Sequence, residues 1–231
     1  AATHHDQPEV APLLSPSPAG AAVVKVDDSR EGWVDALRLV LDTAEQGGGQ
    51  VAVDVSDIRP RGSIIHGFGG TASGPGPLVE MLFAVTEVLN DNTGRPLTTM
   101  AALDICHAIA GCVVAGNVRR SARMSIKHWL DGDVLDFINC KADTGDHWST
   151  NISVEVDDEF FWAYAAGVPQ AVIVFDAVVD GMLTNGEPGF FNSSMASVGE
   201  RGDVRSTNPC GELALEPFEP CCIGSLNLAV L

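Results

Sequence analysis

Apolar residues return at helical spacing at Trp33, Leu37, Val40 and Leu41, and glycines 47–49 follow. This spacing predicts a helix over 28–46 that the glycines end. A second run, Leu78, Met81, Leu82, Val85 and Leu89, carries Pro77 in its first turn, where a missing N–H costs nothing. A third helix is expected through MAALDICHAIAGCVVAG, capped by Thr98 or Thr99. Shorter helices are expected over DGDVLDFINCK and DDEFFWAYAAG. Strand patterns fall between them: a short buried strand at VAVDV (51–55), another at ARMSIK, and a half-buried alternation at NISVEV (151–156). Interleaved helices and strands predict an α/β fold, and no internal repeat is present.

The first 22 residues are rich in Pro, Ala and Ser and lack an apolar period, so a flexible leader over 1–26 is expected, with the folded part over 27–231. A chain of 231 residues that is 45% hydrophobic and 19% charged can bury a substantial core, as one sizeable domain or two small ones. The net charge of −18 argues against nucleic acid or an anionic membrane as a partner. No apolar run approaches the roughly 20 residues that span a bilayer, and no basic-then-apolar leader opens the chain, so a cytoplasmic location is expected. Six cysteines, at 106, 112, 140, 210, 221 and 222, are spaced irregularly, which suits buried or catalytic thiols better than a disulfide framework. No C-x-x-C pair is present and the histidines lack ligand spacing, so no metal site is expected.

Three stretches carry candidate chemistry. GFGGTASGPGP (67–77) has the physics of a phosphate cradle: glycines let the backbone approach a ligand, Thr71 and Ser73 add hydroxyls, and a helix start follows. It matches neither the P-loop nor the dinucleotide fingerprint, and a plain strand-to-helix turn reads equally well. Arg119, Arg120, Arg123 and Lys127 gather positive charge suited to phosphate, or to the many carboxylates elsewhere. Cys106, Cys112 and Cys140 fit small apolar core positions.

The third stretch is TNPCGE. On extended backbone, residues two apart point to one side about 6–7 Å from each other, so Asn208, Cys210 and Glu212 would face one substrate. Cysteine supplies a nucleophile or hydrogen-atom carrier, the carboxylate a base and the amide an orienting hydrogen bond. NPCG is equally good turn chemistry, and both readings stand at this level.

TNPCGE with EPC ending eleven residues after Cys210, AGNVRRSA, IIHGFGGTASGPGPLVEML and DSREGW occur in one order along the chain. Together they resemble the adenosylcobalamin-dependent (class II) ribonucleotide reductases, most nearly the monomeric ribonucleoside-triphosphate reductases. The resemblance implies part of a ten-stranded α/β barrel with a central finger loop. It implies Cys210 as the thiyl-radical cysteine, Glu212 as the base for the ribose 3′-hydroxyl, and Asn208 as a ribose hydrogen-bonder. Cys221 corresponds to one member of the reducing dithiol, and Cys222 stands where relatives usually carry a non-thiol residue. Gly69, Gly70, Thr71, Ser73 and Gly74, with Arg119, Arg120 and Ser121, correspond to loops that sense an allosteric nucleotide. Adenosylcobalamin is the implied cofactor. A ribonucleoside triphosphate substrate, a deoxynucleotide effector, an external dithiol such as thioredoxin and a complementary reductase chain are the implied partners.

The chain departs from the family where no cysteine precedes Cys106, where the leader replaces a long N-terminal region, and where it stops at SLNLAVL. A central segment that works only within a larger or complemented enzyme is therefore expected. The alternatives are a nucleotide-binding segment without turnover and a cysteine-dependent hydrolase or thiol redox protein.

Overall fold

The computed structural model describes residues 23–47, 49–67, 69–115, 121–142, 147–200, 202–222, 224, 227 and 229. Two compact units make up the chain, Ala1–Ser121 and Ala122–Leu231. Among the described residues no single helix is long and apolar enough to cross a membrane.

The first unit contains β1 (Val23–Lys25), α1 (Arg30–Glu45), β2 (Ala52–Asp54), α2 (Gly76–Asp91) and α3 (Thr99–Ala115). β1 and β2 pair in parallel, Val24 opposite Val53, with α1 as the crossover. Val23–Lys25, expected within the leader, form a strand instead, and Val26 just after it is buried. α1 starts where the Ser29 hydroxyl accepts the Gly32 amide at 3.0 Å. The buried side of α2 is Leu78, Met81, Leu82, Val85, Thr86 and Leu89, which packs with Val40 of α1 and Ile105 of α3. Burying each such side chain contributes about 1.5–3 kcal/mol, which fixes the orientation of these helices far more firmly than propensity does. Thr98 caps α3, its hydroxyl accepting the Ala101 amide at 3.1 Å. The expected buried strand at 51–55 is half-buried, because its two-stranded sheet offers little cover.

The second unit contains β3 (Met124–His128), α4 (Val134–Asn139), β4 (Asn151–Val156), α5 (Asp158–Ala165), α6 (Pro169–Asn185), β5 (Gly189–Asn192), α7 (Ser193–Ala196), β6 (Ser206–Thr207) and β7 (Ala214–Leu215). β3, β4 and β5 form a parallel sheet in that order. Central β4 buries Ile152, Ser153 and Val154 in succession, so it is covered on both faces rather than on alternate residues. Phe160 of α5 and Ala171, Val174 and Val178 of α6 close over it, with Trp129 edge-on to Phe160 at 5.3 Å. The pattern at 169–185 was not among the expected elements, yet it forms a helix of 17 residues opened by Pro169. Gly186 ends it in the left-handed region at φ 86°, its N–H bonded to the Met182 carbonyl.

The start of β4 is pinned by an ion pair. Lys141 Nζ lies 2.9 Å from Glu187 Oε2 and donates to the Thr150 carbonyl at 2.7 Å. The same Glu187 oxygen accepts the Ile152 amide at 3.1 Å. This network holds the entry of β4 beside the entry of β5, and the hairpin that carries the candidate cysteine rests against that end.

Candidate active site

β6 and β7 pair antiparallel, Ser206 opposite Leu215 and Thr207 opposite Ala214. Residues 208–213 close this short hairpin. The Asn208 carbonyl accepts the Gly211 amide at 2.9 Å, which defines a β-turn with Pro209 and Cys210 at its centre. Proline supplies the fixed φ such a turn needs, and Gly211 follows at φ 85°, a region that costs side-chain-bearing residues dearly. TNPCGE is therefore not extended, and the expected alternation fails: Cys210 is at a turn corner. The turn reading and the reactive-site reading describe the same residues, since the turn is what leaves the Cys210 thiol exposed.

Asn208 is 3% exposed, whereas Cys210, Glu212, Cys221 and Cys222 are all exposed. Its Oδ1 accepts the Leu213 amide at 3.0 Å, and its Nδ2 donates to Cys221 Sγ at 3.6 Å. The carboxamide expected to face a ribose thus makes one bond within the hairpin and one to the return segment. Asn151, the first residue of β4, donates through Nδ2 to the Pro209 carbonyl at 2.5 Å. Neither Asn151 nor the Lys141–Glu187 pair was a sequence candidate. No spacing rule marks them, because the Asn151 contact bridges 58 positions.

Glu212 opens onto a groove of about 550 Å3 that is also lined by Glu200, Leu213, Leu215, Glu219 and Cys222. Three carboxylates give this groove a negative lining. The structure thus brings Asn208, Cys210, Glu212 and Cys221 into one hairpin and its return segment, with Cys222 turned to the groove.

In the first unit the glycine-rich stretch is a narrow hairpin. Gly62 N donates to Ala72 O at 2.9 Å, Ala72 N to Ser63 O at 2.8 Å and Gly69 N to Ile65 O at 3.0 Å. Amides expected to cradle a phosphate are partly committed to this ladder. Gly69, Gly70 and Thr71 lie exposed at its tip, Ser73 is half-buried and Gly74 is buried. Pro75 precedes α2 without any side-chain cap. Arg119 and Arg120 lie outside the described residues, and Ser121 is half-buried. Cys106, expected in the core, is exposed on α3, while Cys112 and Cys140 are half-buried. Burial, with a smaller push from Glu80, raises the Cys112 thiol to about 11. Among the described residues no group of three or more His, Cys, Asp or Glu side chains is placed to hold a metal ion.

Comparison with known proteins supplies the context. Residues 12–89 match the family described as B12-dependent ribonucleotide reductase, insertion domain. A Mycobacterium phage D29 protein, provisionally named an adenosylcobalamin-dependent ribonucleoside-triphosphate reductase, is 47% identical over 88% of this chain and 32% of its own length. The adenosylcobalamin-dependent ribonucleoside-triphosphate reductase of Lactobacillus leichmannii is 41% identical over 88% of this chain and 28% of its own. A crystal structure of a B12-dependent (class II) ribonucleotide reductase superposes with a TM-score of 0.70 at 37% identity, covering 89% of this chain and 29% of that one. The chain spans about a third of the length of the curated relatives it matches.

Proposed function

We propose that this chain, similar in sequence and fold to the adenosylcobalamin-dependent ribonucleotide reductases over nearly nine-tenths of its length, supplies the radical-cysteine part of a ribonucleoside-triphosphate reductase. The observation that carries the reading is the Cys210 turn: an exposed thiol on a corner fixed from both sides, beside an exposed carboxylate on an open groove. In this reading the parallel strands β3–β5 belong to the ten-stranded barrel and the β6–β7 hairpin is its finger loop.

Adenosylcobalamin, when bound, supplies the one-electron chemistry that removes the hydrogen atom from Cys210. The exposed Cys210 thiol is the group this chain would offer to it. The Cys210 sulfur radical then takes the ribose 3′ hydrogen atom. Glu212 accepts the 3′-hydroxyl proton and the 2′-hydroxyl leaves as water. A dithiol provides two electrons and two protons as it closes to a disulfide, with Cys221 as one member, and Cys210 returns the 3′ hydrogen. The groove already carries three carboxylates, so the triphosphate must be neutralised by groups elsewhere in the enzyme.

The exposed tip at Gly69, Gly70 and Thr71, with Ser73, Gly74, Arg119, Arg120 and Ser121, is proposed to sense a deoxynucleotide effector. An external dithiol such as thioredoxin would restore the reduced thiols, and a complementary or continuous reductase segment would complete the barrel. Such an enzyme works in the cytoplasm, where its substrates and reductant are found. The deciding experiment measures deoxynucleotide formation from ribonucleoside triphosphate with adenosylcobalamin and a dithiol. Turnover is expected only with the completing segment present, and Cys210→Ser should abolish it. Undiminished turnover by that variant would refute the assignment. Nucleotide binding without turnover in the completed protein would favour the inactive alternative.

A further inference from the structure

We infer that Glu187, paired with Lys141, is a positioning residue for Cys210, acting through the entry of β4 and the side-chain amide of Asn151. Its functional meaning rests on the reductase reading, but the chain of contacts stands on geometry alone. The ladder between β4 and β5 begins at Ser153 opposite Gly189, so the Ile152 amide lies one residue short of it. Glu187 Oε2 takes that amide at 3.1 Å, in place of a strand carbonyl. The Asn151 amide donates to the Arg123 carbonyl at 2.9 Å, and Lys141 Nζ donates to the Thr150 carbonyl at 2.7 Å. Successive residues 150–152 are thus each held from outside their own strand, at two of the three by the charge pair. Lys141 meets both Glu187 oxygens at 2.9 Å, and with side chains 14% and 26% exposed, water competes little for either charge.

Successive side chains of a strand point to opposite faces. With Ile152 buried at 2% exposure, the Asn151 side chain emerges on the other face, where its Nδ2 donates to the Pro209 carbonyl. That carbonyl belongs to the peptide plane that also contains the Cys210 nitrogen, so its direction sets the plane from which Cys210 departs. The bond from the Gly211 amide to the Asn208 carbonyl lies within the turn, and closes it without orienting it against the sheet. Asn151 ties this corner to the sheet, and the charge pair behind it fixes the backbone from which Asn151 reaches.

The test is amide hydrogen exchange of the full chain carrying Glu187→Gln, read residue by residue by NMR. Glutamine keeps the length of the side chain and one acceptor oxygen, but not the charge that holds Lys141. Gly211 is expected to exchange at least about three-fold faster, and the Cys210 amide and Cα resonances to move. The Arg205 amide, bonded to the Leu215 carbonyl at the far end of the hairpin, should keep its rate. In an Asn151→Ala background the same substitution should add nothing at Gly211, because the route is already cut. An ion pair that only stabilises the fold would lower the unfolding midpoint and leave the Gly211 rate and the Cys210 resonances in place; that result overturns the inference. So does acceleration that is equal at Arg205, or of the same size with and without Asn151. If Glu187→Gln does not fold, Lys141→Met is read in the same way, since it removes the ammonium and keeps the stem. None of these measurements needs turnover, so the positioning role and the reductase reading can fail separately.

Discussion

The side-chain amide of Asn151 donates to the Pro209 carbonyl at 2.5 Å, so the first residue of the central strand β4 holds the corner of the turn that carries Cys210. Removing this donor in Asn151→Ala should cost only about 1 kcal/mol of stability, the usual net value of one hydrogen bond. It should nevertheless loosen the corner. Hydrogen exchange at Gly211 is expected to accelerate several-fold with little change in the global unfolding midpoint, and turnover of the completed enzyme should fall more than stability does.

Asp157 gives a pH dependence. Burial pushes its carboxyl up, but hydrogen bonds from the Phe160 amide, Trp129 Nε1 and His128, with the charge of His128, outweigh burial and hold it below the ordinary value. A carboxylate depressed on folding stabilises the protein above its unfolded pKa of about 3.9, and that contribution is lost as pH falls through the lower folded value. Asp157→Asn should flatten the acid limb of the curve of melting temperature against pH below about pH 4. An acid limb equal to that of the wild type would show that other carboxylates dominate.

Two helical glycines should respond oppositely to alanine. A Cβ on Gly181 of α6 would meet the Glu187 carbonyl at 2.6 Å and Pro188 Cδ at 2.9 Å, both on the segment that returns to β5. Gly181→Ala should destabilise by about 1–3 kcal/mol through overpacking, despite the better helix former. Gly111 of α3 has nothing within 4 Å of such a Cβ, so Gly111→Ala should stabilise by about 0.5–1 kcal/mol. Urea unfolding midpoints distinguish the two.

The cysteines of α3 should separate by reactivity. With its thiol raised to about 11, Cys112 offers little thiolate near neutrality, while Cys106 is exposed. Alkylation at pH 8 is expected to modify Cys106 well before Cys112. The reverse order, read by peptide mass, would show that α3 opens in solution.

The helices α1 and α2 were legible because their apolar residues keep one face toward a core, as the burial of Leu78, Met81, Leu82, Val85 and Leu89 confirms. α6 was not expected, since its many valines mimic a strand-like run and only Pro169 and Gly186 mark its ends. The residue types of TNPCGE marked a candidate site, but the expected alternation is not its geometry. Alternation presumes extended backbone, and Pro209 with Gly211 imposes a turn instead. Asn151, Lys141 and Glu187 left no local trace, because their contacts form only once distant strand ends meet.

The bonds of Asn208 have a consequence for tolerance to substitution. Aspartate keeps the acceptor for Leu213 and loses the donor, serine is too short to serve both ends, and glutamine is one methylene too long for a 3%-exposed site. In a saturation scan scored on function, position 208 is expected to be as intolerant as the cysteine two residues on. Intolerance at such a position would report the geometry of a corner together with any chemistry there.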